Sequence, residues 1–183
     1  MPEATAQRSP QEPAPVRGAL RPQFRIEAIA PDALDRIRVD GEDDFGNPIL
    51  VTIDEEGGAP LRCCLQPAEP GAAVALIAHR PFARPGPYAE VGPVFIHAGR
   101  CAGYDTPEQY PPGFRDWPTL IFRPYHFDGR MAYPALAMVE GRHAEQAIAE
   151  MFADPTIEVI HSRNLYAGCF MFGIHRSHRD PLS

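Results

Sequence analysis

Residues 157–174 read IEVIHSRNLYAGCFMFGI, and this stretch decides the fold class because it has the pattern of two strands joined by a short polar loop. Alternation along the first run places His161 and Arg163 on the same face of a strand. Segment 164–168 has the length and the glycine of a hairpin loop. If Arg163 pairs with Cys169, then His161, Arg163 and Cys169 share one face, whereas a slip of one residue moves Cys169 to the other face.

The rest of the chain predicts further strands, one clear helix and one short helix. An apolar stripe at three-four spacing predicts the main helix over about residues 142–153; its members are Ala144, Ala147, Ile148, Met151 and Phe152. Pro31 begins a short helix over about residues 31–38. Asp128-Gly129 lies between two apolar runs and indicates a second hairpin. We therefore predict an α+β fold with a mostly antiparallel sheet.

Length and composition predict one globular domain. The chain has 183 residues, of which 44% are hydrophobic, enough for a sizeable core. Residues 1–22 are rich in Pro, Ala, Gln and Arg without apolar periodicity, and this composition predicts a disordered N-terminal arm. We expect a single domain over residues 23–176 and a flexible tail over residues 177–183.

Charge and cysteine usage narrow the class of protein. A formal net charge of -7 argues against nucleic acid and against an anionic membrane surface as partners. No apolar run approaches the ~18 residues of a membrane span, and the N-terminus lacks the pattern of an export signal. We therefore predict a cytoplasmic protein whose cysteines are reduced thiols. The sequence does not indicate an oligomeric state.

Six short motifs occur in a fixed order along the chain. They are residues 62–65, Tyr88-x-Glu90-x-Gly92-Pro93-x-Phe95-x-His97, Arg123-x-Tyr125, Val139-Glu140-Gly141, His161-x-Arg163-Asn164 and Gly168-Cys169-Phe170. Together they resemble a bacterial family catalogued as domain of unknown function 1203. The resemblance covers roughly residues 24–175 and implies a small domain, with no assigned activity.

One position departs from the pattern of that family. The resemblance implies a Cys-x-x-Cys at residues 61–64. This chain has Leu61 where that pattern has its first cysteine, and Cys63 is an additional cysteine. The resemblance therefore gives no support to a redox or metal role that needs the spaced pair.

Thiol chemistry is one hypothesis for a catalytic site. Cys64 follows closely after Arg62, whose charge would stabilise a thiolate, and His97 or His161 would act as the base. Cys64, His97 and His161 are thus the predicted catalytic residues. The alternative, which the sequence favours, is that these cysteines are buried small hydrophobic residues.

Zinc is a second hypothesis. His97 and Cys101 have the spacing His-x-x-x-Cys, and Cys64 and Cys169, or His161, would complete a tetrahedral set. Structural zinc sites usually show two compact ligand pairs, and this sequence shows one loose pair. The sequence therefore favours separate thiols, and we predict no metal and no cofactor from it.

Three arginines in apolar, strand-like segments suggest a site for a small anion. A buried guanidinium needs a partner, which is either a protein carboxylate such as Glu90 or a carboxylate or phosphate on a ligand. Tyr88 lies in a connecting loop where its ring would line a pocket or cap the core. The predicted ligand-binding residues are Arg62, Tyr88, Glu90, Arg123, Arg163 and Asn164. Internal ion pairs, and a turn role for Asn164, are the alternatives.

Two functions follow from these candidates. The first is a small enzyme that acts on a small anionic metabolite, and the second is a non-catalytic domain that binds a ligand or a partner. The enzyme requires His161, Arg163, His97 and Cys64 to converge on one concave pocket. The geometry of these four residues therefore discriminates between the two functions.

Overall fold

The computed structural model describes residues 24–83 and 85–177. Within these ranges the regular elements are eight strands and two α-helices, joined by loops and three single-turn 3₁₀ helices. The strands are β1 (Phe24–Glu27), β2 (Leu50–Asp54), β3 (Ala72–His79), β4 (Gly92–His97), β5 (Leu120–His126), β6 (Ala137–Val139), β7 (Ile157–Asn164) and β8 (Phe170–Arg176). The helices are α1 (Pro31–Asp40) and α2 (Ala144–Met151). The predicted arm, and the predicted tail beyond Ser177, lie outside the described residues.

The strands form two antiparallel sheets. The larger sheet has the order β1-β8-β7-β5-β6, and the smaller sheet has the order β2-β3-β4. The predicted α+β class with mostly antiparallel strands is therefore confirmed. Both predicted helices are present. The short one runs two residues further than expected, and the main one begins with a 3₁₀ turn, Gly141–His143, before α2.

The hairpin of β7 and β8 has a different register from the one assumed in the sequence analysis. Arg163 pairs with Phe170, not with Cys169, so that assumption was wrong. Two backbone hydrogen bonds within the hairpin set this register. The N–H of Asn164 donates to the carbonyl oxygen of Cys169, and the N–H of Gly168 donates to the carbonyl oxygen of Asn164. Asn164 therefore belongs to the strand, and the loop covers residues 165–169, which is the predicted length of five residues shifted by one position.

A bulge in β8 then turns Phe170 to the opposite side of the sheet from Phe172. Ser162 pairs with Phe172 while its neighbour Arg163 pairs with Phe170, so Met171 is the extra residue. Since paired residues share a face, Phe170 lies on the face of Arg163, and Phe172 lies on the other face. One added residue thus places an aromatic ring beside the arginine.

The two faces of the larger sheet belong to different cores. One face packs against α2 and the loop before β5, in a core that includes Leu120, Phe122, Ile148, Ile160 and Phe172. The second core lies between α1 and the smaller sheet, and Phe170 is its contribution from β8. The face of the larger sheet that carries His161 and Arg163 is therefore turned towards the second core.

Gly141 has a close backbone contact that only glycine permits. An added Cβ would lie 2.1 Å from the carbonyl oxygen of Phe114 and 2.6 Å from that of Arg115, and both are backbone atoms. We predict that Gly141→Ala lowers the free energy of unfolding by about 1–3 kcal/mol, because the 3₁₀ turn must move away from this loop. Urea unfolding followed by circular dichroism measures the change.

The matched control for this substitution is Gly86→Ala. A Cβ at Gly86 would meet no atom within 4 Å, so its stability should stay within about 0.5 kcal/mol of the parent. Equal stability of Gly141→Ala and Gly86→Ala would contradict the proposed close contact.

Candidate functional site

Residues 60–67 form a tight turn that carries two adjacent cysteines. The N–H of Leu61 donates to Gln66 (2.9 Å), and the N–H of Leu65 donates to Leu61 (3.0 Å). Leu65 has a φ of 59°, a left-handed conformation that non-glycine residues rarely adopt, yet its side chain is fully buried. Burial of that side chain holds the turn in a conformation that costs on the order of 1–3 kcal/mol.

The turn docks against the smaller sheet. The backbone N–H of Arg62 donates to the carbonyl oxygen of Phe95 in β4 (2.9 Å). His97 ends β4, and Cys101 follows in the next loop. The docking therefore brings both cysteines of the turn beside an imidazole and a third thiol.

Cys63, Cys64, His97 and Cys101 form what we call the thiol–imidazole cluster. One ligand atom from each residue lies within 4.8 Å of the ligand atoms of the other three. His97 Nδ1 lies 3.4 Å from the Sγ of Cys63 and 3.8 Å from that of Cys64. In a tetrahedral zinc site with Zn–S bonds of about 2.3 Å, neighbouring sulfurs lie about 3.8 Å apart. The four side chains therefore lie within metal-binding distance of one another.

The thiols of the cluster differ in acidity. The pKa of the Cys63 thiol is raised mainly by a hydrogen bond with Cys64 and secondly by burial. The same hydrogen bond lowers the pKa of Cys64. Burial raises the pKa of Cys101. Cys64 is therefore the cysteine that ionises first, with Cys63 as the proton donor that stabilises its thiolate.

Cys169 does not join this cluster. It lies 2.9 Å from the Nη2 of Arg62, whose Nε donates to the carbonyl oxygen of Phe170 (2.7 Å) and whose Nη1 donates to that of Pro60. The ligand set that was inferred from the sequence is thus corrected, with Cys63 in the place of Cys169. The sequence pattern missed Cys63 because alternation places adjacent residues on opposite faces, and a tight turn does not alternate.

A second polar group lies on the face of the larger sheet that bears Arg163. The carboxylate of Glu90 bridges two arginines, with distances of 2.6 Å to the Nη1 of Arg163 and 3.0 Å to the Nη1 of Arg123. The Arg163 side chain is 5% exposed and the Glu90 side chain is 43% exposed. The same Nη1 of Arg163 also donates to the carbonyl oxygen of Gly168 (3.3 Å).

Arg163 and Glu90 line a small cleft of about 130 Å³, which we call the Arg163 cleft. Its other lining residues are His79, Pro81, Val91, Gly92, Pro93, Ala167, Gly168, Cys169 and Phe170. Neither Cys64 nor His97 is among them. The four residues that the enzyme hypothesis required at one pocket therefore fall into two groups, one in the thiol–imidazole cluster and one on this sheet face.

His161 is buried beneath aromatic rings on the same face as Arg163. Its ring centroid lies 4.4 Å from that of Phe82 and 4.8 Å from that of Tyr125. Burial, assisted by the charge of Arg163, lowers the pKa of His161 to about 3. At neutral pH this imidazole is therefore uncharged.

The remaining predicted ligand-binding residues lie outside the Arg163 cleft. Asn164 Oδ1 accepts hydrogen bonds from the N–H groups of Tyr166 and Ala167, each at 2.9 Å, so this side chain closes its own loop. The hydroxyl of Tyr88 donates to that of Tyr133 (3.1 Å). Arg62 does not line the cleft itself, but its side chain donates to two residues that do, Cys169 and Phe170.

Sequence comparison adds a family to this geometry. The model of the family DUF1203, described as a protein of unknown function, matches residues 58–176, which is more than half of the chain. The chain belongs to this family. The matched range contains both the thiol–imidazole cluster and the Arg163 cleft. None of the curated proteins and none of the solved structures compared with the chain is similar to it.

None of the helices within the described residues is long and apolar enough to cross a membrane.

Burial of neutral histidines predicts that the protein loses stability in acid. The pKa is lowered from 6.5 to about 3 for His161 and to about 4 for His79, so the unfolded chain binds protons that the folded chain does not. The free energy of unfolding should therefore fall as the pH drops from about 6.5 towards 4, by up to about 1.4 kcal/mol per pH unit for each histidine. In His161→Gln the free energy of unfolding should depend less steeply on pH, because one of the two buried histidines is absent. Urea unfolding at several pH values measures this dependence.

His143→Gln is the matched control, because His143 is exposed. If His161→Gln and His143→Gln have the same slope as the parent, burial of His161 does not cause the acid sensitivity.

Proposed function

We propose that the protein is a non-catalytic zinc-binding domain in which Cys63, Cys64, His97 and Cys101 hold one zinc ion. The observation that carries this proposal is the mutual distance of the four ligand atoms, at most 4.8 Å. Three thiolates and one imidazole are a common ligand set of structural zinc sites, and soft sulfur ligands exclude magnesium and calcium. Four protein ligands leave no open position for a substrate, so the site is structural.

The proposed metal would add a link between segments that the second core already brings together. The cysteine turn, the end of β4 and the loop after it would share one ion. The carbonyl oxygen of Arg62 also accepts a hydrogen bond from the N–H of Ile29, just before α1 (3.0 Å). Ligation would therefore stabilise the second core, since binding free energy at such a site adds to folding free energy.

A cation at this position competes with protons for the three thiols. Bringing three thiols within bonding distance of one ion requires their deprotonation, and burial alone opposes this for Cys63 and Cys101. A divalent cation reverses that balance, and its binding releases protons. The affinity should accordingly rise with pH. Free thiols of this kind fit a reducing compartment such as the cytoplasm.

The separation of the two polar groups favours the non-catalytic alternative over the enzyme. As zinc ligands, Cys64 and His97 are no longer available as nucleophile and base. They also lie outside the Arg163 cleft, where a small anion would have to meet them. The proposed function is therefore that of a non-catalytic domain whose fold is stabilised by bound zinc.

The test is the metal content of the full chain, purified under reducing conditions without chelators. Mass spectrometry of the elements should find about one zinc per chain, and Cys101→Ser should lower zinc affinity at least about tenfold. Chelation should also lower the melting temperature of the parent, because a ligand that binds only the folded state stabilises it.

Cys169→Ser is the matched control, since a serine hydroxyl still accepts the hydrogen bond from Arg62. This variant should retain one zinc. If Cys101→Ser does not fold, the thiolate-to-metal charge-transfer bands of the cobalt-substituted parent give an independent measure of sulfur ligation. The proposal fails if the reduced parent binds neither zinc nor cobalt, or if Cys169→Ser loses as much metal as Cys101→Ser.

A further inference from the structure

Arg163 has two buried nitrogens that lack a partner. Its Nε and Nη2 make no hydrogen bond with any of the described residues, although the residue is only 4% exposed. All of its contacts with Glu90 and Gly168 use Nη1. An unpaired donor of this kind costs about 1–3 kcal/mol, and more when it is charged. Such a group in a native protein calls for an acceptor that binds from outside the chain.

The two unpaired nitrogens form one edge of the guanidinium group. That edge presents two parallel N–H groups, which match the two oxygens of a carboxylate. We propose that the Arg163 cleft binds a short-chain carboxylate whose oxygens accept hydrogen bonds from Nε and Nη2 of Arg163. This ligand site is distinct from the zinc site, and its argument does not depend on a metal.

The charges around the cleft favour an anion with a single charge. Arg123, Arg163 and Glu90 form one connected group with two positive charges and one negative charge, which leaves a net charge of +1. His79 and His161 are uncharged at neutral pH, because burial lowers the pKa of each. A monocarboxylate would neutralise the group. Phosphate would bring more negative charge than the group neutralises.

The size and lining of the cleft favour a small, partly apolar molecule. Pockets for drug-sized ligands measure about 300–1,000 Å³, and this cleft measures about 130 Å³. Pro81, Val91, Pro93 and Phe170 give it an apolar wall. A short aliphatic chain would contact that wall while the carboxylate reaches the arginine.

A further polar atom on the same sheet face, the Nδ1 of the buried His161, has no hydrogen-bond partner among the described residues. Arg123 pairs with His161 across β5 and β7, so these side chains and Arg163 share one face. The unpaired nitrogens of Arg163 therefore lie on a face of the sheet that holds a further buried polar atom without a partner.

Binding requires a local shift of the cleft wall, because Nε and Nη2 lie beneath the protein surface. Much of that wall, including Pro81, Val91 and Ala167, lies outside the strands and helices. Segments without ladder hydrogen bonds open at low free-energy cost. The hydrogen-bonded ladder of β7 and β8 can thus stay intact while the ligand enters.

The experiment is a titration of the ¹⁵N-labelled full chain with sodium propionate at constant ionic strength. The Nε–H resonance of Arg163, identified by its loss in Arg163→Lys, should shift in a saturable manner. Propionamide has the same shape without the charge and should cause no saturable shift. Inorganic phosphate should bind at least tenfold more weakly than propionate.

Three variants make the result specific. Arg163→Lys keeps the charge but removes the two-nitrogen edge, so propionate affinity should fall at least tenfold. Glu90→Gln removes the internal carboxylate and should increase the affinity several-fold, and this variant decides the matter if Arg163→Lys does not fold. Arg25→Lys changes an exposed arginine whose side chain is 63% exposed, and it should leave the affinity unchanged.

The proposal is overturned if propionate causes no saturable shift, or if propionamide shifts the same resonance equally. It is also overturned if phosphate binds more tightly than propionate, if Glu90→Gln weakens binding, or if Arg25→Lys weakens binding as much as Arg163→Lys.

Discussion

The positions of the thiol–imidazole cluster and the Arg163 cleft both depend on the hydrogen bonds of the buried Arg62 guanidinium. The residue is 1% exposed, and its side chain donates to the carbonyl oxygens of Phe170 and Pro60 and to the sulfur of Cys169. Desolvating an unpaired guanidinium is so costly that these acceptors must stay in place. Arg62 therefore ties the cysteine turn to the start of β8, and it fixes the position of the thiol–imidazole cluster relative to the Arg163 cleft.

The bulge at Met171 has an equally wide effect. It lets one strand contribute Phe172 to the core under α2 and Phe170 to the core around the smaller sheet. Because the faces of a strand alternate strictly, a regular β8 would have placed both rings on the same side. Phe170 then packs beside His161 and His79, with ring centroids 5.2 Å and 5.5 Å apart. The bulge thus adds an aromatic ring to the face of Arg163, and burial keeps both histidines neutral.

The two polar groups suit different tasks. The thiol–imidazole cluster is made of soft ligands and lies beside a strained turn, so it suits a metal that stabilises the fold. The Arg163 cleft has a buried cation with unused donors and a wall outside the ladders, so it suits a small anion. Their separation favours two distinct sites over a single catalytic site built from Cys64, His97, His161 and Arg163.

Local sequence patterns by themselves determined the α+β class, both helices and the hairpin of β7 and β8, because these depend on periodicities of a few residues. The pairing of Arg123 and Arg163 with Glu90 was one of the alternatives visible in the sequence. The tertiary structure alone decided that Cys63 joins His97, that Cys169 pairs with Arg62, and that Arg163 faces Phe170. The first two contacts join residues 34 and 107 positions apart. The third depends on a bulge and a one-residue shift in register, and alternation cannot reveal either because packing against two different cores selects them.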